Sequence, residues 1–301
     1  MKKSSKRPTS PSIDPMNTLL SNSSFKKETI KDLEVNYEWT DFSLPWESKK
    51  RETVFMYHGY IRSALFWQAW VPLIANEFKA LRMDARGCGE TSKPPEDYVY
   101  TFEQMADDAI DFLDHLELKK VHWVGESSGG IVGLAVALKY PERLHSLTLC
   151  DTPFKRPTHI DKTYTLGEVD RATAFEKFGI AEWCRQTLSF RLDTNRASKE
   201  LCEWYIQQMD KTPIHVANSI ERMIGQGDFW PLLPQIKTPT LILAGKDSPI
   251  AQEKQMAEMQ QHMPSAKLVA FEGYRHGINL IAPDRCVSEL KKFIEELNLP
   301  K

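Results

Sequence analysis

The chain has 301 residues, of which 41% are hydrophobic and 27% are charged, so it can bury a full core as one large domain or two small ones. Lysine and arginine number 39 against 41 acidic residues, and the net charge of -2 gives no field that would gather nucleic acid or an acidic membrane surface. The composition therefore favours a small-molecule partner, with no nucleic acid and no membrane.

Residues 1–27 are rich in serine, proline and lysine, which cannot bury enough apolar surface to offset the entropy of ordering. We predict a disordered tail there. The only apolar pair in it, Leu19 and Leu20, is far too short for a signal peptide. No later run approaches the roughly 18 apolar residues of a membrane span.

Strand-like and helix-like runs then alternate through residues 28–151. The strand-like runs are LEVNYEW from Leu33, TVFMYH at 53–58, FKALRMD ending at Asp84, KVHWV at 120–124 and LHSLTLC at 144–150. They are apolar almost throughout, as in strands covered on both faces. The clearest helix follows Thr101, which forms a capping box with Gln104. This alternation predicts an α/β domain with a mostly parallel sheet and helices on both faces.

Residues 152–235 look helical and contain no convincing strand, whereas alternation resumes in residues 236–301 with TPTLILAG and AKLVAF. We interpret the middle segment as a helical cap inserted between two parts of one α/β core. A cap in this position would cover a pocket at the strand ends. The aromatic residues expected to line an apolar pocket beneath it, or to pack the cap onto the core, are Phe154, Tyr164, Phe175, Phe178, Trp183 and Phe190.

The run VGESSGG at 124–130 joins a predicted strand to a predicted helix and matches the GxSxG nucleophile elbow. Glycines two residues before and after Ser127 would prevent a clash in the turn. The backbone N–H of Ser128 could then point at a developing oxyanion at the helix N-terminus. The alternative is a small-residue turn without chemistry.

A serine nucleophile needs a histidine held by a carboxylate. Among eight histidines, His276 follows the last predicted strand in a glycine-bounded loop and is the expected base. Two residues compete as the acid. Asp247 gives the chain order serine, aspartate, histidine and is preferred, while Asp151 follows the strand after the serine helix and is the alternative.

The loop after TVFMYH should supply the second oxyanion donor, the N–H of Tyr60. His58 then braces that loop. The glycine-broken turn DARGCGETS at 84–92 is interpreted as structural, its aspartate and arginine satisfying each other or nearby backbone.

The motifs HGY at 58–60, DARGCGETS at 84–92, GESSGG at 125–130, TPTLILAGKDSP at 238–249 and FEGYRHG at 271–277 occur in this order. Together they resemble those of the α/β-hydrolase superfamily over nearly the whole chain after residue 30. Within it, the chain is similar to the 3-oxoadipate enol-lactonase and small esterase branch. The resemblance implies the α/β-hydrolase fold, with the cap inserted after the sixth strand, and hydrolysis of an ester or lactone.

The expected reaction is acyl transfer through an acyl-enzyme, which requires no metal or organic cofactor. C–C bond hydrolysis of a ring-cleavage product and ligand sensing with slow turnover are the alternatives. The five scattered cysteines have no metal-binding spacing and predict a reducing, cytoplasmic location. We expect a monomer or a homodimer.

Overall fold

The structure is a computed structural model that describes residues 25–47 and 50–298. Most of the predicted tail, residues 1–24, lies outside the described residues. The last residues of the predicted tail are described, and they are not a tail, because the first strand begins at Lys26. The strand was missed because Lys-Lys-Glu-Thr-Ile contains one apolar residue, whereas an edge strand needs little apolar surface.

The described residues form one eight-stranded sheet in the order β1-β2-β4-β3-β5-β6-β7-β8. β1 pairs antiparallel with β2 and β2 with β4, and all other neighbours are parallel. The strands are β1 (Lys26–Ile30), β2 (Leu33–Thr40), β3 (Thr53–Tyr57), β4 (Lys79–Met83), β5 (Val121–Glu126), β6 (Leu144–Cys150), β7 (Thr240–Gly245) and β8 (Ala266–Phe271). The predicted mostly parallel sheet is confirmed.

The α-helices of the described residues lie between strands, with one long stretch between β6 and β7, and two of them follow β8. They are α1 (Val71–Ala75), α2 (Phe102–His115), α3 (Ser128–Lys139), α4 (Asp161–Tyr164), α5 (Arg171–Thr187), α6 (Lys199–Met209), α7 (Ile214–Gln226), α8 (Glu253–His262), α9 (Ile278–Ile281) and α10 (Pro283–Asn298). Gly179, with φ 75° and ψ 162°, interrupts α5.

Both faces of the sheet are covered, which explains why its central strands β3, β5, β6 and β7 are buried almost throughout. In β3, Phe55 and Tyr57 pack in the core that contains α2, α3 and α8, while Val54 and Met56 pack on the opposite face with α1 and α10. Successive side chains of a strand point to opposite faces, so both sets are buried.

The stretch between β6 and β7 contains α4 to α7 and an isolated bridge between Lys155 and Asp228. It follows the sixth strand, as predicted. We call residues 152–235 the cap segment, although its boundaries, and those of the core parts 28–151 and 236–301, stay predictions.

The turn at 84–92 has the predicted structural role, but its two charges do not pair with each other. The carboxylate of Asp84 accepts hydrogen bonds from the backbone N–H of Ala64 at 2.6 Å and of Glu90 at 2.8 Å. Arg86 instead donates to Asp108, at 2.8 and 2.9 Å, and to Asp32. The turn is thus fixed by two separate networks.

Candidate active site

Ser127 occupies a strained turn between β5 and α3. Its φ of 52° and ψ of -121° lie in a region that residues with a side chain rarely adopt. The turn requires its two glycines, because a Cβ on Gly125 would lie 2.4 Å from the carbonyl oxygen of Gly129, and one on Gly129 would lie 2.3 Å from that of His58. Ser127 is half-buried and lines a cavity beneath the cap segment.

Two residues that line the same cavity as Ser127 have a backbone N–H without an acceptor in the described part of the chain. They are Tyr60 and Ser128. The first is held in place by a loop that follows β3, in which the imidazole of His58 accepts from the N–H of Ala85 at 2.9 Å. Gly59 lets this loop approach the turn, since a Cβ there would lie 3.2 Å from that of Ser127.

His276 is fully buried in the loop after β8. Its Nδ1 lies 3.2 Å from Oγ of Ser248 and 4.0 Å from Oδ2 of Asp151. Its Nε2, the atom that would accept the proton of Ser127, has no hydrogen-bond partner among residues 25–47 and 50–298. The sequence analysis did not predict a role for Ser248. Its position directly after Asp247, a candidate acid, could have indicated one.

The structure brings Asp151, and not Asp247, to this histidine. Asp151 is fully buried and accepts N–H groups from Gly245 at 2.9 Å, Gly277 at 2.8 Å and Ile278 at 3.0 Å. Burial raises the pKa of Asp151, while His276 and the N–H groups of Ile278 and Gly245 oppose the rise.

Asp247, the preferred acid, is exposed in the loop after β7. Its backbone N–H donates to the carbonyl of Tyr274 at 2.9 Å, but its carboxylate has no hydrogen bond or ion pair within the described ranges. The loop directs the backbone of Asp247, rather than its carboxylate, at the segment that carries the histidine.

A second buried carboxylate, Glu126, lies on the other side of the imidazole. It forms an ion pair with Arg62, and its Oε1 is 3.6 Å from Nε2 of His276. Burial opposes the ionisation of Glu126, but Arg62 and His276 outweigh it and lower the pKa of Glu126. The sequence analysis did not include Glu126 in the site. Its position directly before the candidate nucleophile could have indicated that it lies there.

The cavity beside Ser127 is small, at about 60 Å³. A typical small-molecule pocket holds about 300–1,000 Å³, so this cavity would have to widen to hold a whole ligand of that size. The wall includes Ile131, Ile160, Tyr164 and Ile224, but also four arginines, Arg62, Arg156, Arg171 and Arg191, and one acid, Glu221.

The family model of the alpha/beta hydrolase fold matches residues 52–283, which span the sheet from β3, the strained serine turn and the loop of His276. The chain belongs to the α/β-hydrolase family. The predicted fold class and superfamily are thereby confirmed.

This α/β-hydrolase is similar to enzymes of several specificities. It is 25% identical over 233 residues to 3-oxoadipate enol-lactonase 1 of Acinetobacter baylyi, covering 77% of this chain and 84% of that protein. The enol-lactonase structure from Burkholderia xenovorans LB400 has a TM-score of 0.79 at 20% identity, covering 90% of this chain and 100% of that one. A thermophilic esterase structure from Thermogutta terrifontis has a TM-score of 0.77 at 25% identity, covering 92% and 100%. Hydrolase activity is the function class that these similarities support.

The cavity of the α/β-hydrolase is less aromatic than predicted. Of the six aromatic residues proposed for it, Tyr164 lines the cavity, whereas others pack within the cap segment. Phe175 and Trp183, for example, have ring centroids 4.8 Å apart. The expectation of an apolar wall missed the arginines because they lie far apart in the sequence.

Within residues 25–47 and 50–298, no helix of the α/β-hydrolase combines the length and apolar character that a membrane crossing requires. The same residues contain no cluster of three or more histidine, cysteine or acidic side chains arranged to hold a metal ion.

Proposed function

We propose that this protein is a serine hydrolase that cleaves a carboxylic ester or lactone of a small molecule through an acyl-enzyme. The observation that carries the proposal is the strained turn of Ser127, which lines a cavity with Tyr60 and Ser128, two residues whose backbone N–H groups have no acceptor within the described ranges. The buried Nε2 of His276, 3.6 Å from the carboxylate of the adjoining Glu126, is without a hydrogen-bond partner there as well. Such a turn stores strain that a purely structural connection does not need.

In the proposed mechanism, Oγ of Ser127 attacks the carbonyl carbon while Nε2 of His276 takes the hydroxyl proton. The N–H groups of Tyr60 and Ser128 stabilise the negative charge on the carbonyl oxygen. His276 then gives its proton to the departing alkoxide as the C–O bond breaks. A water attacks the acyl carbon, His276 takes a proton from it, and Ser127 leaves protonated with release of the acid.

Asp151 is proposed as the acid of the triad in place of Asp247. Its support is burial, the 4.0 Å separation from Nδ1 of His276 and the three N–H groups that fix its carboxylate. A carboxylate held this way can stabilise the imidazolium that forms in each step. Catalytic contacts that are long without substrate commonly tighten once substrate binds.

Steady-state hydrolysis of 4-nitrophenyl butyrate tests these roles in Asp151→Asn, with Asp247→Asn as the matched control. We expect kcat to fall by about 10²–10⁴-fold in the first variant, because the base loses its charged partner, and by less than threefold in the second. Thermal melting checks that both variants are folded. A larger loss in Asp247→Asn than in Asp151→Asn would contradict the assignment.

The cellular location is also a proposal. All five cysteines, Cys88, Cys150, Cys184, Cys202 and Cys286, are unpaired, and all but Cys202 are buried. Free buried thiols support the proposal of a reducing, cytoplasmic compartment.

A further inference from the structure

Positive charge is concentrated on the wall of the cavity beside Ser127. Three of its four arginines have carboxylate partners. Arg62 pairs with Glu126, Arg171 pairs with Glu221, and Arg156 pairs with Glu221 at 3.0 Å and with Asp161. These pairs offset the cost of placing guanidinium groups in a buried wall.

Arg191 differs from the other three, because it has no carboxylate partner among the described residues. It is only 4% exposed. Its Nη2 donates to Oγ1 of Thr187 at 2.8 Å and to the carbonyl of Cys184 at 3.2 Å, while Nε and Nη1 have no hydrogen-bond partner within the described residues. Its guanidinium carbon lies 4.1 Å from the ring centroid of Trp183.

A buried guanidinium with unsatisfied donors is costly unless a ligand completes it. Stacking on Trp183 compensates part of the charge but uses none of the N–H bonds. An anionic group in the cavity would satisfy those donors and neutralise the unpaired charge. Carboxylates are the natural partners of arginine, since charge-assisted hydrogen bonds between them are strong.

We propose that the substrate carries a carboxylate in addition to its scissile ester or lactone, and that Arg191 binds this carboxylate. The inference rests on the proposed function, since it concerns the cavity of the same serine. The substrate class is then an anionic ester or lactone, such as a monoester of a dicarboxylic acid or an ester of a hydroxy acid.

Two matched pairs of esters test the charge without changing the shape of the substrate. On the acyl side, the 4-nitrophenyl monoester of adipic acid is compared with the same ester of adipamic acid, in which a neutral amide replaces the carboxylate. On the alcohol side, 4-acetoxybenzoate is compared with 4-acetoxybenzamide. In the wild type we expect kcat/KM to be at least tenfold higher for the carboxylate in one of the pairs.

The variant Arg191→Met should bring the kcat/KM values of the carboxylate and amide partners together, because only the carboxylate loses a charged partner. Arg191→Lys should keep part of the preference, because it retains the charge. Arg185→Met, which changes a half-exposed arginine near the end of α5, before the turn that carries Arg191 and outside the cavity, is the matched control and should behave as wild type.

Two outcomes would overturn the inference while Ser127-dependent hydrolysis persists. One is a wild type without preference for the carboxylate in either pair, a result that requires no variant to fold. The other is a preference that survives unchanged in folded Arg191→Met.

A binding measurement separates failure of this inference from failure of the proposed function. Adipate should raise the Tm of Ser127→Ala, a variant without the nucleophile, and should not raise that of Ser127→Ala combined with Arg191→Met. A shift without any hydrolysis in the wild type would reject the serine mechanism and keep the carboxylate site. Hydrolysis in the wild type without a Tm shift and without a preference for the carboxylate ester would reject the carboxylate site and keep the serine mechanism.

Discussion

His58 holds the loop that presents the N–H of Tyr60, and it does so as a neutral imidazole. Its Nε2 accepts from the N–H of Ala85, so the proton resides on Nδ1, which donates to the carbonyl of Gly59 at 2.8 Å. Burial lowers the pKa of His58, although the carboxylate of Asp84 opposes the change. Protonation would place a hydrogen against the N–H of Ala85.

This arrangement predicts a pH dependence of stability. Below the ordinary pKa of 6.5 the unfolded chain binds the proton more readily than the folded one, so the contribution of His58 is present above pH 6.5 and is lost as the pH falls through its lowered folded value. Urea unfolding at several pH values should show this slope in the wild type and in the exposed control His262→Gln, but a smaller one in His58→Gln. Equal slopes in His58→Gln and wild type would contradict a neutral His58.

At the scale of elements, Glu221 joins parts of the cap segment that are distant in sequence. From α7 it binds Arg171 at the start of α5 and Arg156 in the loop after β6. Glu221 and Arg171 are each 7% exposed, so solvent screens their attraction little. The pair is therefore a structural link between helices as well as part of the cavity wall.

Removal of this acid should leave the guanidinium of Arg171 without a carboxylate partner among the described residues, whereas Arg156 retains Asp161. We expect Glu221→Ala to lower the free energy of unfolding by about 3 kcal/mol, the scale of breaking one side of a buried ion pair. Glu203→Ala, at an exposed position of α6, should change it by less than about 0.5 kcal/mol. Urea denaturation measures both, and similar values for the two variants would contradict the link.

Sequence patterns predicted a helix or strand correctly when every residue of the pattern interacts within the same segment. Thr101 caps α2, and its Oγ1 accepts the N–H of Gln104 at 3.0 Å as predicted. The reciprocal half of the capping box was wrong, because the Gln104 side chain donates to Asp108, a partner in the network of Arg86. Propensity and spacing contain no information about such a competing partner.

At the scale of the whole molecule, the candidate site is formed by residues that follow the carboxyl ends of five strands. The mostly parallel arrangement of β3, β5, β6, β7 and β8 was predicted from the alternation of strand-like and helix-like runs, and so was a pocket at the strand ends. Which aspartate faces His276 was not predictable, because Asp151 and Asp247 both follow strands that end at this edge. The choice depends on how the loop after β8 packs, a tertiary property.

The identity of the nucleophile is the central claim, and covalent labelling tests it most directly. The wild-type protein would be treated with a fluorophosphonate, and the modified peptide located by mass spectrometry, with Ser127→Ala and Ser128→Ala as the two matched variants. The mechanism predicts one added group on Ser127, lost in Ser127→Ala and retained in Ser128→Ala. An unlabelled, correctly folded wild type, or a label on any other residue, would contradict the serine hydrolase mechanism.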